Sequence, residues 1–170
     1  MRKLWAVLGT VLFFLIAPVT AGLVVPWWIA GWQMAPPFLG LPVLRTAGFL
    51  LAAAGAVPLV ESFARFALVG LGTPAPIAPP KHLVVTGFYR HVRNPMYVAV
   101  IAVILGDALI LGNAWIFAYA VLFLLTAHIY VRIYEEPTLK RLFGAEYAEF
   151  RAHVPRWLPR LTPWTQARRE

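Results

Sequence analysis

Long apolar segments constrain the fold of this chain more than any other feature. An uncharged apolar run begins at residue 4 and ends at residue 25, and a helix of about 20 such residues can span a bilayer. Of the 170 residues, 61% are hydrophobic and 13% are charged, whereas soluble domains carry about 25% charged residues. The sequence therefore predicts an all-α integral membrane protein that forms a single domain.

Four apolar segments can be read as transmembrane helices, at residues 4–25, 44–60, 95–111 and 115–134. The first segment also fits a signal peptide, because it follows a basic start and has small residues around Thr20. Its apolar character continues to Val25, which favours a span that is retained. Pro18 predicts a kink within it.

Composition divides the chain into a helical pair, a linker with a motif loop, a helical hairpin and a tail, at residues 1–71, 72–94, 95–134 and 135–170. Four prolines and a glycine exclude a helix at 72–80. Apolar residues of the tail recur mostly three or four positions apart, at Leu139, Leu142, Phe143, Tyr147 and Phe150. This period predicts an amphipathic cytosolic helix that lies against the inner ends of the spans.

The positive charges predict the orientation in the membrane. Most of the 15 Lys and Arg residues fall at the start of the chain, in 81–93 and from Arg132 onward, and such residues favour the cytosolic side. The uncharged segment 26–42 contains three tryptophans and predicts an external interfacial loop. We therefore expect a bacterial inner-membrane protein with both termini in the cytosol and with the lipid bilayer as a partner.

Composition also excludes several classes of function. The chain has no Cys, which excludes a disulfide framework and thiolate chemistry. Its four His lack metal-ligand spacing, so we predict no metal site. The net charge of +8 lies mostly in loops and the tail, where anionic lipid headgroups explain it more simply than nucleic acid does. We expect no nucleic-acid partner.

Two polar clusters flank the predicted hairpin. The first, at residues 87–97, contains Arg93, whose guanidinium fork suits a carboxylate or a phosphate. The second contains Glu135 and Glu136, and the two intervening spans return it to the same side of the membrane. Together the clusters would suit a zwitterion, such as an amino-acid moiety. The alternatives are lipid contact for the arginines and stabilisation of a helix terminus by the glutamates.

The sequences around both clusters resemble motifs of the isoprenylcysteine carboxyl methyltransferase family. This family also includes phospholipid and small-thiol methyltransferases. The first motif, similar to the family's Gly-x-Tyr…Arg-His-Pro-x-Tyr, reads Gly87-x-Tyr89-x-x-x-Arg93-Asn94-Pro95-x-Tyr97. The second block, similar to the family's C-terminal block, reads Glu135-Glu136-x-x-Leu139, then Phe143-Gly144-x-Glu146-Tyr147 and Val154-Pro155. The resemblance covers about residues 84–159, and the preceding part matches only as generic spans.

The resemblance implies an S-adenosylmethionine-dependent methyltransferase whose cofactor pocket is formed by the last hairpin and the tail. By motif position, the cofactor-binding residues are Tyr89, Arg93, Asn94, Pro95, Tyr97, Glu135, Glu136 and Tyr147. Arg93 and Glu135 are the candidates for catalytic roles, and Arg151 and His153 for substrate binding. The implied methyl acceptor is lipophilic or small, namely a prenylcysteine, a phospholipid, a small thiol or another molecule.

Two departures from the family's pattern bear on the acceptor. Asn94 replaces the usual His, which keeps a hydrogen-bonding group but removes a titrating one. His153 stands where a basic residue, often Arg, precedes the Val-Pro pair in the prenylcysteine enzymes. The sequence therefore leaves the acceptor open.

Two other functions remain possible on the sequence alone. A membrane sterol-type reductase has a similar Arg-His-Pro-x-Tyr block and uses a nicotinamide cofactor, although such chains usually have more spans. A non-enzymatic scaffold or transporter subunit would use Glu61, Arg65 and Asp107 as packing or relay groups. Glu61 and Arg65 are four residues apart, which predicts an ion pair that acts as a structural clasp.

The period of the tail predicts which glutamate faces the cofactor. Leu139, four residues after Glu135, belongs to the apolar stripe, whereas Lys140, four after Glu136, belongs to the polar side. We therefore expect Glu135 to lie inward, where it holds the cofactor's amino group or positions the acceptor, and Glu136 to be mainly solvent-facing.

Overall fold

The computed structural model describes residues 2–69 and 82–165. Within these two ranges the chain is helical apart from its connecting segments, and it has no β-strand. The all-α fold predicted from the sequence is therefore confirmed for this part of the chain. The predicted linker at 72–80 lies outside the described residues.

Six α-helices make up most of the described chain: α1 (Arg2–Val19), α2 (Val25–Ile29), α3 (Pro42–Leu68), α4 (Pro95–Leu111), α5 (Ala114–Tyr130) and α6 (Glu136–His153). Two π-helical turns, Thr20–Val24 and Val131–Glu135, join α1 to α2 and α5 to α6. The described residues thus form three long continuous helices and the shorter α4.

Three helical segments within the described ranges are long and apolar enough to cross a membrane: Leu8–Ile29, Pro42–Arg65 and Ala114–His153. The remaining predicted span is α4, an apolar helix of 17 residues, which is about 25 Å long at the usual helical rise. It lies at the centre of the bundle, where Ile104 and Ala108 are fully buried. We call the end where α3 ends and α4 begins the motif end.

The first span is longer than the sequence predicts. Its helix continues to Ile29, so the predicted loop at 26–42 is wrong over its first residues. A proline often interrupts a helix because it has no N–H to donate to the hydrogen-bond ladder. Pro26 is tolerated because the π turn directly before it already changes that ladder, so that Pro26 stands in the first turn of α2. That turn begins two residues after Pro18, where the sequence predicts a kink.

Helices α3 and α4 approach most closely where glycines leave room. A Cβ atom built on Gly106 would lie 2.7 Å from the carbonyl oxygen of Gly48, and one built on Gly55 would lie 2.7 Å from that of Ala99. Such contacts are possible only without a side chain, which is why small residues line close helix interfaces in membranes. Gly55 lies within a run of small residues in α3, at positions 52–56.

We predict that Gly106→Val destabilises the bundle. The new side chain would meet the backbone of α3 rather than a flexible side chain, and overpacking of this kind costs about 1–3 kcal/mol. Thermal unfolding in detergent should give this variant a lower Tm than Ala53→Val, which enlarges an exposed position of α3. Equal Tm values for the two variants would contradict the close approach of α3 and α4.

A tight turn at Gly112-Asn113 joins α4 to α5. Gly112 ends α4 with a φ of 66°, and the Asn113 side chain accepts a hydrogen bond of 2.9 Å from the backbone N–H of Trp115. Arg45 donates to the carbonyl oxygen of Ile110 at 2.9 Å and to that of Ala35 at 2.7 Å. These bonds fasten the loop after α2 to the end of the bundle opposite the motif end.

The tail helix is continuous with the last span rather than separate from it. The π turn Val131–Glu135 connects α5 directly to α6, and the backbone kinks at Gly144, which has a φ of 48°. The predicted apolar stripe is present in α6, since Tyr147 and Phe150 are buried against Leu83 and Val154. This small core places α6 beside the chain that leads into α4.

Candidate functional site

The motif loop, residues 87–94, is fixed to α3 by the predicted Glu61–Arg65 ion pair. That pair is present, and both side chains lie against Gly87, whose φ is 57°. A side chain at Gly87 would collide with both partners and would be strained by the left-handed backbone. The glycine of the motif is therefore required by the clasp as well as by the turn.

We predict that Gly87→Ala loosens the motif loop. Left-handed backbone costs a residue with a side chain about 1–2 kcal/mol, and the methyl group must also displace the Glu61–Arg65 pair. Hydrogen exchange should therefore be faster in the motif loop of this variant than in the wild type. Gly31→Ala is the matched control, because Gly31 also has a positive φ but no neighbouring atom within 4 Å. Equal exchange in the motif loop of the two variants would contradict the role of the clasp.

The segment after α6, residues 154–165, folds back onto the motif loop, and we call it the tail segment. Three backbone hydrogen bonds of 2.9 to 3.0 Å connect the two, donated by Arg93 to Pro155, by Arg160 to His91 and by Trp164 to Arg90. The side chain of Arg90 adds a 2.7 Å bond to the Trp164 carbonyl oxygen. Arg90 therefore holds the tail segment, a role that the sequence does not predict.

A charged cluster lies between the motif loop, α6 and the tail segment. Glu136 accepts a 3.0 Å hydrogen bond from Arg93 and two bonds, of 2.7 and 3.0 Å, from Arg156. The side chains of Arg93 and Glu136 are only 9% and 11% exposed. Tyr147 completes the cluster with its hydroxyl 3.4 Å from Arg93 Nη1. The hydrogen bond from Arg156 to Glu136 raises the pKa of Arg156, so Arg156 carries a positive charge.

The prediction that Glu136 is mainly solvent-facing is wrong. Its carboxylate is the acceptor that joins two arginines, because the tail segment folds back and covers the face of α6 that the helical period assigns to water. Arg156 is the residue that sequence reasoning missed. It stands directly after Val154-Pro155, a pair that the resemblance includes, and its charge in that position is the signal that could have identified it.

A second cluster is formed by tyrosines around Glu135. The hydroxyl of Tyr97, in the first turn of α4, donates a 2.7 Å hydrogen bond to Glu135 Oε1. Tyr89 is 8% exposed, and burial together with the carboxylates of Glu135 and Glu61 raises its pKa above the ordinary value. Tyr89 is therefore a neutral group. The structure thus brings Tyr97 into contact with Glu135, and Tyr89 lies within reach of the charge of Glu135.

The other predicted site residues are placed as follows. Pro95 is buried at the start of α4, and the Asn94 side chain donates a 3.1 Å bond to the carbonyl oxygen of Arg156. Asn94 thus connects the motif loop to Arg156 of the charged cluster. Arg151 is exposed and lines a shallow surface pocket on α6 together with Tyr147. His153 is exposed and stacks on Trp164 with ring centroids 5.5 Å apart.

A comparison with protein-family models identifies a match to the phospholipid methyltransferase model over residues 43–146. The match covers more than half of the chain and includes α3, α4, α5, the motif loop and both glutamates. The chain belongs to the phospholipid methyltransferase family. The resemblance inferred from the two motifs is therefore confirmed at the family level. Searches of curated proteins and of solved structures found no match.

Methyltransferase families in general use S-adenosylmethionine, and the residues present suit that cofactor. Among the described residues, nothing accepts a hydrogen bond from Arg93 Nε, although this atom is buried. A buried guanidinium N–H normally has an acceptor, and a carboxylate is the acceptor that a guanidinium prefers. The amino-acid end of the cofactor carries both a carboxylate and an ammonium group. Arg93 and Glu135 therefore suit its two charges.

Proposed function

We propose that this chain is an S-adenosylmethionine-dependent membrane methyltransferase that acts on a lipophilic or small acceptor. The observation that carries the proposal is the buried Arg93, which Glu136 and Tyr147 hold in place through Nη1, while its Nε–H has no acceptor in the described part of the chain. The family match supports a methyltransferase over a nicotinamide-dependent reductase and over a scaffold.

In this proposal the residues of the two clusters divide the binding of the cofactor. Arg93 would hold the carboxylate, and its ion pair with Glu136 keeps the guanidinium in a fixed orientation. Glu135, whose Oε1 accepts from Tyr97, would hold the ammonium group with its remaining acceptor capacity. The Asn94 amide and the backbone bonds of the tail segment keep Arg156 over Glu136. Each charge of the ligand then has a partner that is already oriented before binding.

The transfer itself requires little chemistry from the protein. S-adenosylmethionine supplies a methyl group that is already activated for displacement. The tasks left to this chain are to align the acceptor with that methyl group and to exclude water. The tyrosines beside Glu135 and the ring of Trp157, which packs edge-to-face on Tyr97 at 6.3 Å, enclose this side of the site.

The acceptor class can be tested by following the methyl group. Purified protein in nanodiscs, incubated with methyl-labelled S-adenosylmethionine and a membrane extract, should transfer label to the organic phase or to small molecules in the aqueous phase. Arg93→Lys should reduce this transfer, with Lys140→Arg as an exposed control. No transfer above the protein-free control for any lipid or small-molecule fraction would contradict an enzymatic function.

We also propose that the motif end faces the cytosol, where the cofactor is made. The support is the distribution of basic residues, since most Lys and Arg residues lie at this end or in the segments that lead to it. Reporter fusions should place Trp32 outside and Glu170 inside the cell. A fusion at Glu170 that reports an external position would place the site on the side that lacks cofactor and would contradict the proposal.

A further inference from the structure

We propose that residues 157–161, the anchor loop, attach the tail segment to the surface of the membrane that the chain spans. Leu158 and Leu161 would insert among the anionic lipid headgroups of the leaflet at the motif end. The two leucines lie outside the charged cluster and the tyrosine cluster, and neither belongs to the family motifs. Trp157, the first residue of the anchor loop, borders the tyrosine cluster through Tyr97.

The two leucines are the first observation. Leu158 is 80% exposed and Leu161 is 97% exposed. Neither belongs to a helix, and hence neither is part of the lipid-facing side of a span. The segment that carries them is ordered, because backbone bonds donated by Arg160 to His91 and by Trp164 to Arg90 fix it on both sides of Leu161. The fold therefore presents these apolar side chains outward in a fixed position.

The second observation is the depth of the anchor loop relative to the ends of the membrane spans. The indole N–H of Trp157 donates a 3.0 Å hydrogen bond to Nδ1 of His128, which lies in the last turn of α5. The Trp157 ring also packs on Tyr97 in the first turn of α4. Both contacts lie where the apolar spans end, which is the depth at which tryptophan rings settle in a bilayer. Leu158, the next residue, is therefore level with the headgroups.

The basic residues around the anchor loop favour anionic lipid as its binding partner. Residues 151–170 contain five arginines and one glutamate, and of these arginines Arg156 is paired with Glu136. A basic residue close to an anionic surface gains about 1 kcal/mol. Exposed apolar side chains with flanking cations are the composition of segments that lie in the membrane interface. Because Arg156 directly precedes the anchor loop, attachment to lipid would also keep Arg156 in place over Glu136.

The absence of Cys from the chain makes single labels straightforward. Leu158→Cys and Leu161→Cys would each carry an environment-sensitive NBD probe in full-length protein, reconstituted into nanodiscs with or without phosphatidylglycerol. Leu122→Cys, exposed in the middle of α5, reports full contact with lipid. Ala152→Cys, exposed on α6 between Arg151 and His153, reports an exposed position outside the anchor loop.

Quenching by doxyl-labelled lipid and by aqueous iodide decides the outcome. We expect doxyl quenching of the probes at positions 158 and 161 to be several-fold stronger than that of the probe at position 152 and to approach that of the probe at position 122. This quenching should increase when phosphatidylglycerol is present. We expect iodide quenching to follow the opposite order. Doxyl quenching at 161 that does not exceed that at 152 overturns the proposal. So does doxyl quenching at 158 and 161 that is the same with and without the anionic lipid.

Discussion

Glu136→Gln is expected to be the most damaging single substitution in the described part of the chain. The carboxylate is shared by Arg93 and Arg156 and is 11% exposed, so its removal leaves two guanidinium groups facing each other without a countercharge. Loss of one partner of a buried ion pair typically costs about 3–5 kcal/mol. We therefore expect a large decrease in the Tm of the purified protein and a loss of affinity for S-adenosylhomocysteine.

Charge balance provides a sharper test than the single substitution. The double variant Glu136→Gln/Arg156→Gln leaves only the charge of Arg93 without a partner, whereas Glu136→Gln leaves the charges of both arginines. We therefore expect the double variant to have a higher Tm than Glu136→Gln alone. Glu146→Gln on the same helix is the control for loss of a carboxylate, and it should behave like the wild type. Destabilisations of Glu136→Gln and Arg156→Gln that simply add in the double variant would contradict the charged cluster, because residues in direct contact are not independent.

Arg93→Lys is expected to separate binding from stability. Lysine can still pair with Glu136, but it has no counterpart of the buried Nε, which finds no acceptor within residues 2–69 and 82–165 and would donate to a ligand carboxylate. A hydrogen bond to a charged group contributes about 1.5–3 kcal/mol. We therefore expect the affinity for S-adenosylhomocysteine, measured by titration calorimetry, to decrease at least about tenfold, with a much smaller change in Tm than for Glu136→Gln.

Arg90→Lys is the matched control for this substitution. Arg90 donates to the backbone of Trp164 and to the Thr165 hydroxyl, and not to the charged cluster. Its replacement should lower the Tm by loosening the tail segment and should change the affinity little. Equal losses of affinity for Arg90→Lys and Arg93→Lys would remove the distinction between a residue that binds the ligand and one that holds the tail segment.

The sequence predicts the apolar architecture well because it depends on local patterns. Helix α4 begins at Pro95 and ends before Gly112, as its apolar run and the terminal Pro and Gly indicate. Helix α3 is longer than the predicted segment 44–60, since the polar residues Glu61 and Arg65 continue the helix. Those two residues pair with each other, which is how a helix accommodates charges near its end.

The arrangement of the site could be predicted only in part. The motif identifies Arg93 and the two glutamates, but the partner of Glu136 comes from the tail segment, an irregular stretch with no period. A helical period assigns each residue a face, and it carries no information on what folds back over that face. The π turn at Val131–Glu135 is a second reason, because it rotates Glu135 and Glu136 relative to α5 without a sequence signature.

A thermal-shift comparison tests most directly whether this protein binds S-adenosylmethionine or its product S-adenosylhomocysteine. Purified protein in detergent should be stabilised by S-adenosylhomocysteine in a saturable way, by about 2.7 kcal/mol at a hundredfold excess over Kd. Arg93→Lys should require a higher concentration for the same shift, and NADPH should give no shift in either protein. Stabilisation by NADPH without stabilisation by S-adenosylhomocysteine would contradict the assignment of the site.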